Sequence, residues 1–585
     1  GVSLMRLIHK TFLSALLLCG GVSAAPQAQA QAGVGYEPPP VEFAGPAETA
    51  QPAPSRIAPP EEQAPAPVRP ARPRARVDVG GFVEVQQAVS AELGDAGLLG
   101  DDEVLTYTSF AAGVEGQVAT RRVVASFGYR YERRVELTGD LPDDDVHSGI
   151  AQVSAQLVPG LLAVEAGGIA TRTGGSGRAI GVSDRERSAE VYSGYAGPTL
   201  ATRAGPVALN AFYRLGYVHV DDDSLAGASS PEGDFDATVH MAGASASMAP
   251  GQLPFGWNVS VGHVGERAGS FDTRFQSQFI RGDAVLPVNP SLALTAGVGY
   301  SRGEASQRDV QRGADGAPLV HANGNLIPDP ARPRVTTYDQ AGLFADAGFI
   351  WRPTRRTELQ LRAGINDDGD PIVAGSAAFQ VGRSFGFSFT LYDNDETFGT
   401  SLIRNLRDLP DEFKISRDPL TGDFSVGCVF SEDEPGRGAC LSPALQSITG
   451  ASFRARGGSI LFSGSRRLWS FGGGITYARR DFYLPDDPIF ESAFAPNDQD
   501  LALFGSVGRR IGRDAAFGFD GFLSFFNSDG ANVDDVVSIG GRANFTRSFL
   551  LSRLQLLVAL GLIHRSIGDE NSLVADGLIG LRYTF

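Results

Sequence analysis

Arginine carries almost all of the positive charge in this chain, and it recurs at regular intervals beside acidic residues. Only Lys10 and Lys414 among the 50 basic residues are lysine. In the stretch from Val123 to Glu132, polar and charged residues alternate with Val, Ala, Phe and Tyr. Alternation at period two is typical of a β-strand with one polar and one apolar face. A guanidinium donates two parallel hydrogen bonds to a carboxylate or phosphate. These strands could therefore bind anionic groups or form ion pairs.

We expect the polar faces of such strands to line the inside of a barrel. The candidate lumen residues are Arg130, Glu132, Arg214, Asp346, Glu358, Arg362, Arg454, Arg456, Asp520, Arg542 and Arg582. One interpretation is a charged passage whose arginines meet anionic sugar or phosphate groups. The other is a set of internal ion pairs that fill and stiffen the lumen. The sequence leaves both interpretations open.

Other kinds of chemistry find little support. The seven histidines form no HExxH motif and have no ligand-like spacing, so no metal site is predicted. Neither lysine lies in a Walker-type phosphate loop, and no Ser-His-Asp arrangement can be placed, so we predict no cofactor and no enzyme. An acidic excess of 17 makes a nucleic-acid partner unfavourable. A hydrolase at the edge of the lumen remains an alternative by analogy alone.

The alternating pattern predicts an all-β transmembrane protein over residues 77–585. In the last segment, the face that carries Leu573, Ala575, Ile579 and Leu581 is apolar. The connections alternate between tight turns and long acidic loops, as they do in outer-membrane barrels. We predict an antiparallel up-and-down β-barrel of about 22 strands, within a range of 18–22.

The composition of the first 76 residues divides them into two segments. Residues 1–25 combine a short basic stretch, an apolar run and small residues, which is typical of a secretory signal peptide. Residues 26–76 contain 13 of the 35 prolines and many alanines. Such a composition predicts a disordered periplasmic arm, which is either a spacer or a tether for a partner.

Two features of the long loops, a pair of cysteines and two acidic runs, lead to further predictions. Cys428 and Cys440 lie in the longest connection, and a secreted compartment permits a disulfide between them. The runs Asp143–Asp145 and Asp221–Asp223 are acidic. They are either solvated loops or groups that hold divalent cations against lipopolysaccharide.

The chain ends on Ile579, Leu581, Tyr583 and Phe585 at every second position. This ending resembles the C-terminal assembly signal of Gram-negative outer-membrane proteins, and the resemblance implies handling by the barrel assembly machinery. The segments 351–359, 385–398 and 428–456 are similar to large alphaproteobacterial barrels that are encoded with exopolysaccharide and exosortase (PEP-CTERM-type) systems. That second resemblance implies an envelope barrel without defined catalytic residues.

Taken together, these observations predict a protein of the cell outer membrane with its N-terminal arm in the periplasm. We expect a channel, or an export or diffusion pore for polar solutes, with exopolysaccharide as one candidate. The alternative is a non-conducting structural or assembly barrel that anchors an envelope complex. The expected partners are outer-membrane lipid, lipopolysaccharide, the assembly machinery, and polysaccharide or periplasmic export components.

Overall fold

The computed structural model describes residues 75–585, apart from several short stretches. These are 95–103, 139–143, 175–187, 222–234, 252, 270, 322–325, 355, 383, 411, 414–416, 419, 423–427, 432–433, 447, 488–489, 491–494 and 530–533. The predicted signal peptide, nearly all of the predicted arm, and Asp143, Asp222 and Asp223 lie outside the described residues. Within the described part, no helix has the length and apolar character that crossing a membrane requires.

Twenty-two strands form one closed antiparallel sheet. The first half contains β1 (Arg76–Gly94), β2 (Val104–Ala119), β3 (Val123–Thr138), β4 (Asp144–Val158), β5 (Leu162–Thr173), β6 (Ala189–Ala204), β7 (Val207–Asp221), β8 (Phe235–Met248), β9 (Gly256–Ala268), β10 (Thr273–Asn289) and β11 (Leu292–Gln307). The second half contains β14 (Val335–Thr354), β15 (Thr357–Ile365), β16 (Pro371–Val381), β17 (Phe385–Glu396), β20 (Phe453–Arg466), β21 (Trp469–Phe482), β22 (Asn497–Ile511), β23 (Ala515–Ser528), β24 (Val536–Phe549), β25 (Leu554–Ile567) and β26 (Glu570–Thr584). This architecture confirms the predicted fold class and strand number.

Four further strands and two helices belong to the connections. β12 (Asp309–Val310) pairs with β13 (Pro328–Asp329), and β18 (Cys428–Phe430) pairs with β19 (Gly438–Cys440). The helices, here called α1 (Phe398–Arg407) and α2 (Ser442–Leu445), lie in the connection between β17 and β20.

Every barrel strand pairs with its neighbours along the sheet, and the last strand closes the ring. β26 pairs with β1 from Phe82 opposite Thr584 to Gly94 opposite Ser572. Closure satisfies the backbone hydrogen bonds of both terminal strands, so no open edge is left in the sheet. Short turns lie at the end where β1 begins and β26 ends, and long connections lie at the other. We call these the short-turn end and the long-loop end.

The outer face of the barrel is apolar, which is the property that lipid requires. Val83 and Val85 on β1 and Leu560 on β25 are exposed, while their neighbours in sequence point inward. Near the long-loop end, a girdle of tyrosine and histidine side chains follows β3 to β8. In this girdle the Tyr129 hydroxyl lies 2.6 Å from His147 Nδ1.

The same girdle continues along the neighbouring strands. The Tyr213 hydroxyl lies 2.8 Å from His240 Nδ1, and the Tyr192 and His219 rings stack at 6.2 Å. Amphipathic rings at this level are typical of the boundary between membrane and water. The protein is therefore an outer-membrane β-barrel.

Candidate functional site in the barrel lumen

The connection between β17 and β20 folds into the barrel. We call residues 397–452 the lumen segment. Its first part is α1, which packs against the inner wall formed by β5 to β9. Phe398 and Ile403 are buried there, and the Phe398 ring meets the Phe235 ring edge-on at 5.6 Å. Gly216 permits this approach, because a Cβ at that position would lie 2.8 Å from Ile403 Cγ1.

The N-terminus of α1 is capped twice. Thr397 and Thr400 form a capping box within the segment. The wall contributes the second cap, since Glu266 on β9 accepts a hydrogen bond of 2.8 Å from the Thr400 backbone N–H and another from the Thr397 hydroxyl. A carboxylate at this position also opposes the positive end of the helix dipole. The helix is thus fixed to one side of the wall.

After α1, the lumen segment descends toward the short-turn end. The Gln117 side chain donates a hydrogen bond of 3.0 Å to the Phe413 carbonyl. Gln117 lies two residues before the end of β2, at the short-turn end of the barrel. The segment therefore crosses most of the depth of the lumen.

Residues 417–422 contact a second side of the wall. Arg134 donates a hydrogen bond of 2.8 Å to the Thr421 carbonyl, and Asp418 forms an ion pair with Arg542 of β24. Leu420 is buried in an apolar cluster with Ala88, Leu105, Tyr107, Ala559 and Leu578. Both polar and apolar contacts hold this stretch in place.

The third part of the lumen segment carries the predicted cysteine pair. Cys428 and Cys440 form a disulfide within the β18–β19 hairpin. The Gly436 backbone N–H donates a hydrogen bond of 2.7 Å to the Ser463 hydroxyl of β20. Gly436 has a φ of +84° and lies against Gly386, so a side chain at either position would collide with the facing backbone.

A buried charge cluster holds α2 against the wall. Arg480 of β21 donates a hydrogen bond of 2.8 Å to the Pro443 carbonyl. It also pairs with Asp498 at 2.6 Å and Asp500 at 3.1 Å on β22. All three charged side chains are nearly inaccessible to solvent. Breaking such a buried cluster is costly, because a partner is left charged and unpaired.

A cavity of about 180 Å³ remains between the lumen segment and the wall formed by β16, β17, β20 and β21. Glu396 and Arg404 form an ion pair on its lining, and Arg437 and Tyr392 also contribute to it. Asp408, directly after α1, lines the same cavity, and burial raises the pKa of its carboxyl. Charges of both signs and neutral donors thus surround this space.

Most predicted lumen residues lie on the inner face, where they are tied into ion pairs. Arg130 lies between Glu84 at 2.9 Å and Glu132 at 2.5 Å. Arg582 contacts Glu84 at 3.5 Å and pairs with Glu115. This inner cluster spans the seam at which β26 closes onto β1.

A second inner cluster contains two further predicted residues. Arg362 donates to Asp283 at 2.8 Å and to Asp346 at 3.0 Å. Arg281 reaches the same two carboxylates. Two arginines and two aspartates on β10, β14 and β15 therefore form a closed square of opposite charges.

The remaining inner residues are more scattered. Arg214 pairs with Glu165, Glu358 pairs with Arg352 at 2.5 Å, and Arg542 pairs with Asp418 of the lumen segment. Asp520 lies on the inner face of β23, opposite Arg542.

The prediction is wrong for Arg454 and Arg456. Their neighbours Phe453 and Ala455 line the lumen cavity, so the two arginines point to the other face of β20. Arg454 pairs with Asp393 and Asp370 at 2.8 Å, and Arg456 pairs with Asp481. A charged side chain must point inward only where the other face of the strand meets lipid. Above the lipid boundary, charged residues can face outward as well.

The four terminal residues of the assembly-signal pattern lie on the lipid face. Ile579, Leu581 and Tyr583 of β26 are exposed there, and Phe585 follows them at the short-turn end. This position leaves a role in assembly open to test.

Sequence reasoning missed the wall residues Glu266, Glu396 and Arg480. It also missed Arg404 and Asp418 of the lumen segment itself. The Thr-x-x-Thr spacing at 397–400 was a usable sign of a helix start. Nothing in the sequence indicated that the helix would lie inside the barrel.

The similarity of this chain to known proteins is limited to the overall barrel architecture. No protein-family model and no curated protein matches this sequence. Among solved structures, the FrpB iron transporter of Neisseria meningitidis (F5-1 variant) is similar with a TM-score of 0.39 and 11% identity, over 87% of this chain and 82% of that chain. The open form of the ferric-catecholate import receptor Fiu of E. coli has a TM-score of 0.42 and 11% identity, over 86% and 81%.

The siderophore receptor PiuA of Acinetobacter baumannii is similar with a TM-score of 0.40 and 9% identity, over 86% of this chain and 82% of that chain. With TM-scores below 0.5, these similarities support no functional statement about this chain. The lumen must be interpreted from its own residues.

Proposed function

We propose that this barrel is a gated transporter of small polar solutes whose gate is its own lumen segment. The observation that carries the proposal is a segment held across the lumen by hydrogen bonds and ion pairs, beside a cavity lined by charged side chains. Such contacts can be exchanged for water without breaking the barrel itself. Movement of the lumen segment would connect the cavity to the short-turn end and to the long-loop end of the barrel.

The arrangement favours gated passage over free diffusion. α1, the 417–422 stretch and the β18–β19 hairpin occupy the lumen at several levels. A cavity of about 180 Å³ suits a small solute rather than a polysaccharide chain. An open diffusion pore and exopolysaccharide export are therefore not part of this proposal.

A specific observation favours a second candidate, a sealed structural barrel. The contact between α1 and the wall is apolar and buried, with Phe398, Leu402, Ile403 and Leu406 at its centre. Apolar contacts of this size are costly to open. If the segment never leaves, the barrel serves as an anchor for an envelope complex.

Conductance measurements separate the two candidates. In the double variant Gly216→Cys/Ile403→Cys, an oxidised bond would lock α1 to β7, because the two side chains would be adjacent. Wild type in planar bilayers should show discrete openings. Oxidation of the double variant should abolish them, and reduction should restore them.

The control is wild type in the same reductant, which reports any effect of opening the native disulfide. Openings that persist in the oxidised variant would show that α1 does not gate the lumen. Complete silence of wild type and reduced variant, across voltages and with polar solutes added, would support the sealed barrel instead.

The proposal includes three further predictions, on catalysis, on membrane insertion and on periplasmic partners. The protein is proposed to transport without catalysis, and labelling by a serine-directed hydrolase probe would contradict this prediction. The barrel assembly machinery is proposed to recognise the β26 ending, so Phe585→Ala should slow membrane insertion. Residues 26–76 are proposed to tether periplasmic components, so deletion of 38–73 should remove co-purifying partners if the tether is real.

A further inference from the structure

The outer face of the barrel carries an arginine cluster near the long-loop end. Arg267 at the end of β9, Arg274 at the start of β10, Arg308 after β11 and Arg334 before β14 all surround Asp272. Their guanidinium nitrogens lie 3.5, 3.0, 3.9 and 2.8 Å from the Asp272 carboxylate, respectively. We call these four arginines the rim cluster.

Strand alternation places the cluster on the lipid side. On β9, Arg267 shares a face with the exposed residues Val259 and Val261. On β10, Arg274 shares a face with the exposed residues Ile280 and Leu286. The rim cluster therefore faces the membrane boundary and points away from the lumen.

The rim cluster lies at the level of the polar headgroup layer, above the acyl chains. Ile280 and Tyr300 are paired across β10 and β11, and both are exposed on the lipid face. Arg274 is six residues further along β10, which corresponds to about 20 Å of strand. At a tilt of about 45°, the cluster lies about 14 Å above Tyr300, in the layer of headgroups and sugars.

The cluster has more positive charge than its own carboxylate can neutralise. Four arginines around one aspartate leave three positive charges, on a chain whose net charge is −17. Arg267 and Arg274 are direct cross-strand partners, an arrangement that is destabilising without a shared counter-ion. Arg274 Nε is buried and has no hydrogen-bond acceptor among the described residues.

The neighbouring carboxylates have other contacts and limit the cluster on either side. Asp236 of β8 accepts hydrogen bonds from Tyr217 and from His219 at 3.0 Å. On the β11 side, Glu304 lies 3.8 Å from Arg302. Among the described residues, these two carboxylates therefore form their contacts with other side chains and do not neutralise the rim cluster.

We propose that the rim cluster binds the phosphate groups of the anionic glycolipid in the outer leaflet, lipopolysaccharide. Guanidinium groups recognise phosphate oxygens through paired hydrogen bonds. Arg267 and Arg274 share the single Asp272 carboxylate with Arg308 and Arg334, and a bound phosphate adds the counter-charge that one carboxylate cannot supply to four arginines. Arg334 also donates to the Asp272 carbonyl at 2.5 Å and to the Ser306 carbonyl at 2.6 Å, so it fixes the floor of the site.

Binding of purified protein to rough lipopolysaccharide tests the proposal. The variant Arg267→Gln/Arg274→Gln/Arg308→Gln keeps Arg334 and removes three charges. Each basic residue near an anionic surface is worth about 1 kcal/mol, or about fivefold, so the triple variant should bind about 100-fold more weakly. A matched control replaces three arginines at the short-turn end, Arg509, Arg547 and Arg553, with glutamine and should bind like wild type.

Two further ligands distinguish the source of the phosphate. Dephosphorylated lipopolysaccharide should bind wild type as weakly as the phosphorylated form binds the triple variant. Inorganic phosphate at millimolar concentration should displace little of the glycolipid. Full displacement by inorganic phosphate would overturn the lipid assignment, and equal binding by wild type and triple variant would overturn the site.

The single variant Asp272→Asn separates ligand binding from a purely structural role. If the cluster only serves to hold Asp272, Asp272→Asn should leave glycolipid binding unchanged or weaken it. If the cluster binds phosphate, removing the competing carboxylate should strengthen binding about fivefold. Heat-modified migration on gels confirms that each variant is a folded barrel, and the Asp272→Asn result decides the question if the triple variant does not fold.

Discussion

The ion pair between Arg542 and Asp418 should hold the middle of the lumen segment in place. Asp418 is almost fully buried, and its second oxygen accepts the Leu420 backbone N–H at 2.9 Å. Arg542→Gln removes the cation and leaves the carboxylate charged inside the barrel. Removing one partner of a buried pair costs about 3–5 kcal/mol, and the remaining hydrogen bond favours the lower end, about 3 kcal/mol.

Hydrogen–deuterium exchange of peptides spanning 417–422 measures this cost locally. A loss of about 3 kcal/mol corresponds to about 100-fold faster exchange. The double variant Asp418→Asn/Arg542→Gln removes both charges and should lose only about 1 kcal/mol. Arg509→Gln on the outer face should change exchange by less than about 0.5 kcal/mol. Unchanged exchange in Arg542→Gln, or a double variant as fast as the single one, would refute the reasoning.

Three other perturbations test separate parts of the structure. Replacing both Cys428 and Cys440 with serine should loosen the β18–β19 hairpin by up to about 3 kcal/mol and speed its proteolysis; an unchanged cleavage rate would contradict this. Gly216→Val should overpack the α1 contact by about 1–3 kcal/mol and lower the unfolding temperature, whereas Gly282→Val, which meets open space, should not.

The third concerns pH. Burial alone would raise the pKa of Asp272, but Arg274, Arg334 and Arg267 bring it below its usual value. Its stabilising contribution is therefore complete above about pH 4 and is lost as pH falls further. In lipid-free detergent, proteolysis of the 308–334 connection should accelerate below pH 4, and Asp272→Asn should remove this acceleration.

The architecture was accessible from sequence because lipid imposes a strict rule on every strand. Leu581 and Tyr583 face lipid while Arg582 faces inward, so alternation alone determines both the strands and their faces. Turn lengths then give the strand number. Arg454 and Arg456 mark the limit of this rule, because alternation weakens above the lipid boundary, where both faces tolerate charge.

The contents of the lumen were not accessible in the same way. Leu420 contacts Leu105 and Leu578, which lie 315 and 158 positions away in the sequence, and no local pattern encodes such a contact. The cysteine pair could be predicted because its spacing is local. Likewise, Arg542 could be placed on an inner face, but its partner Asp418 belongs to a loop whose path depends on the whole barrel.

Cross-linking in native outer membranes tests most directly whether the lumen segment occupies the barrel. A side chain at Gly561 of β25 would touch Leu420, so Leu420→Cys/Gly561→Cys should form a disulfide on mild oxidation. Leu420→Cys paired with Gly216→Cys, on the wall that α1 contacts, should not. Failure of the first pair to form, or equal formation of both, would contradict a barrel closed by its own loop.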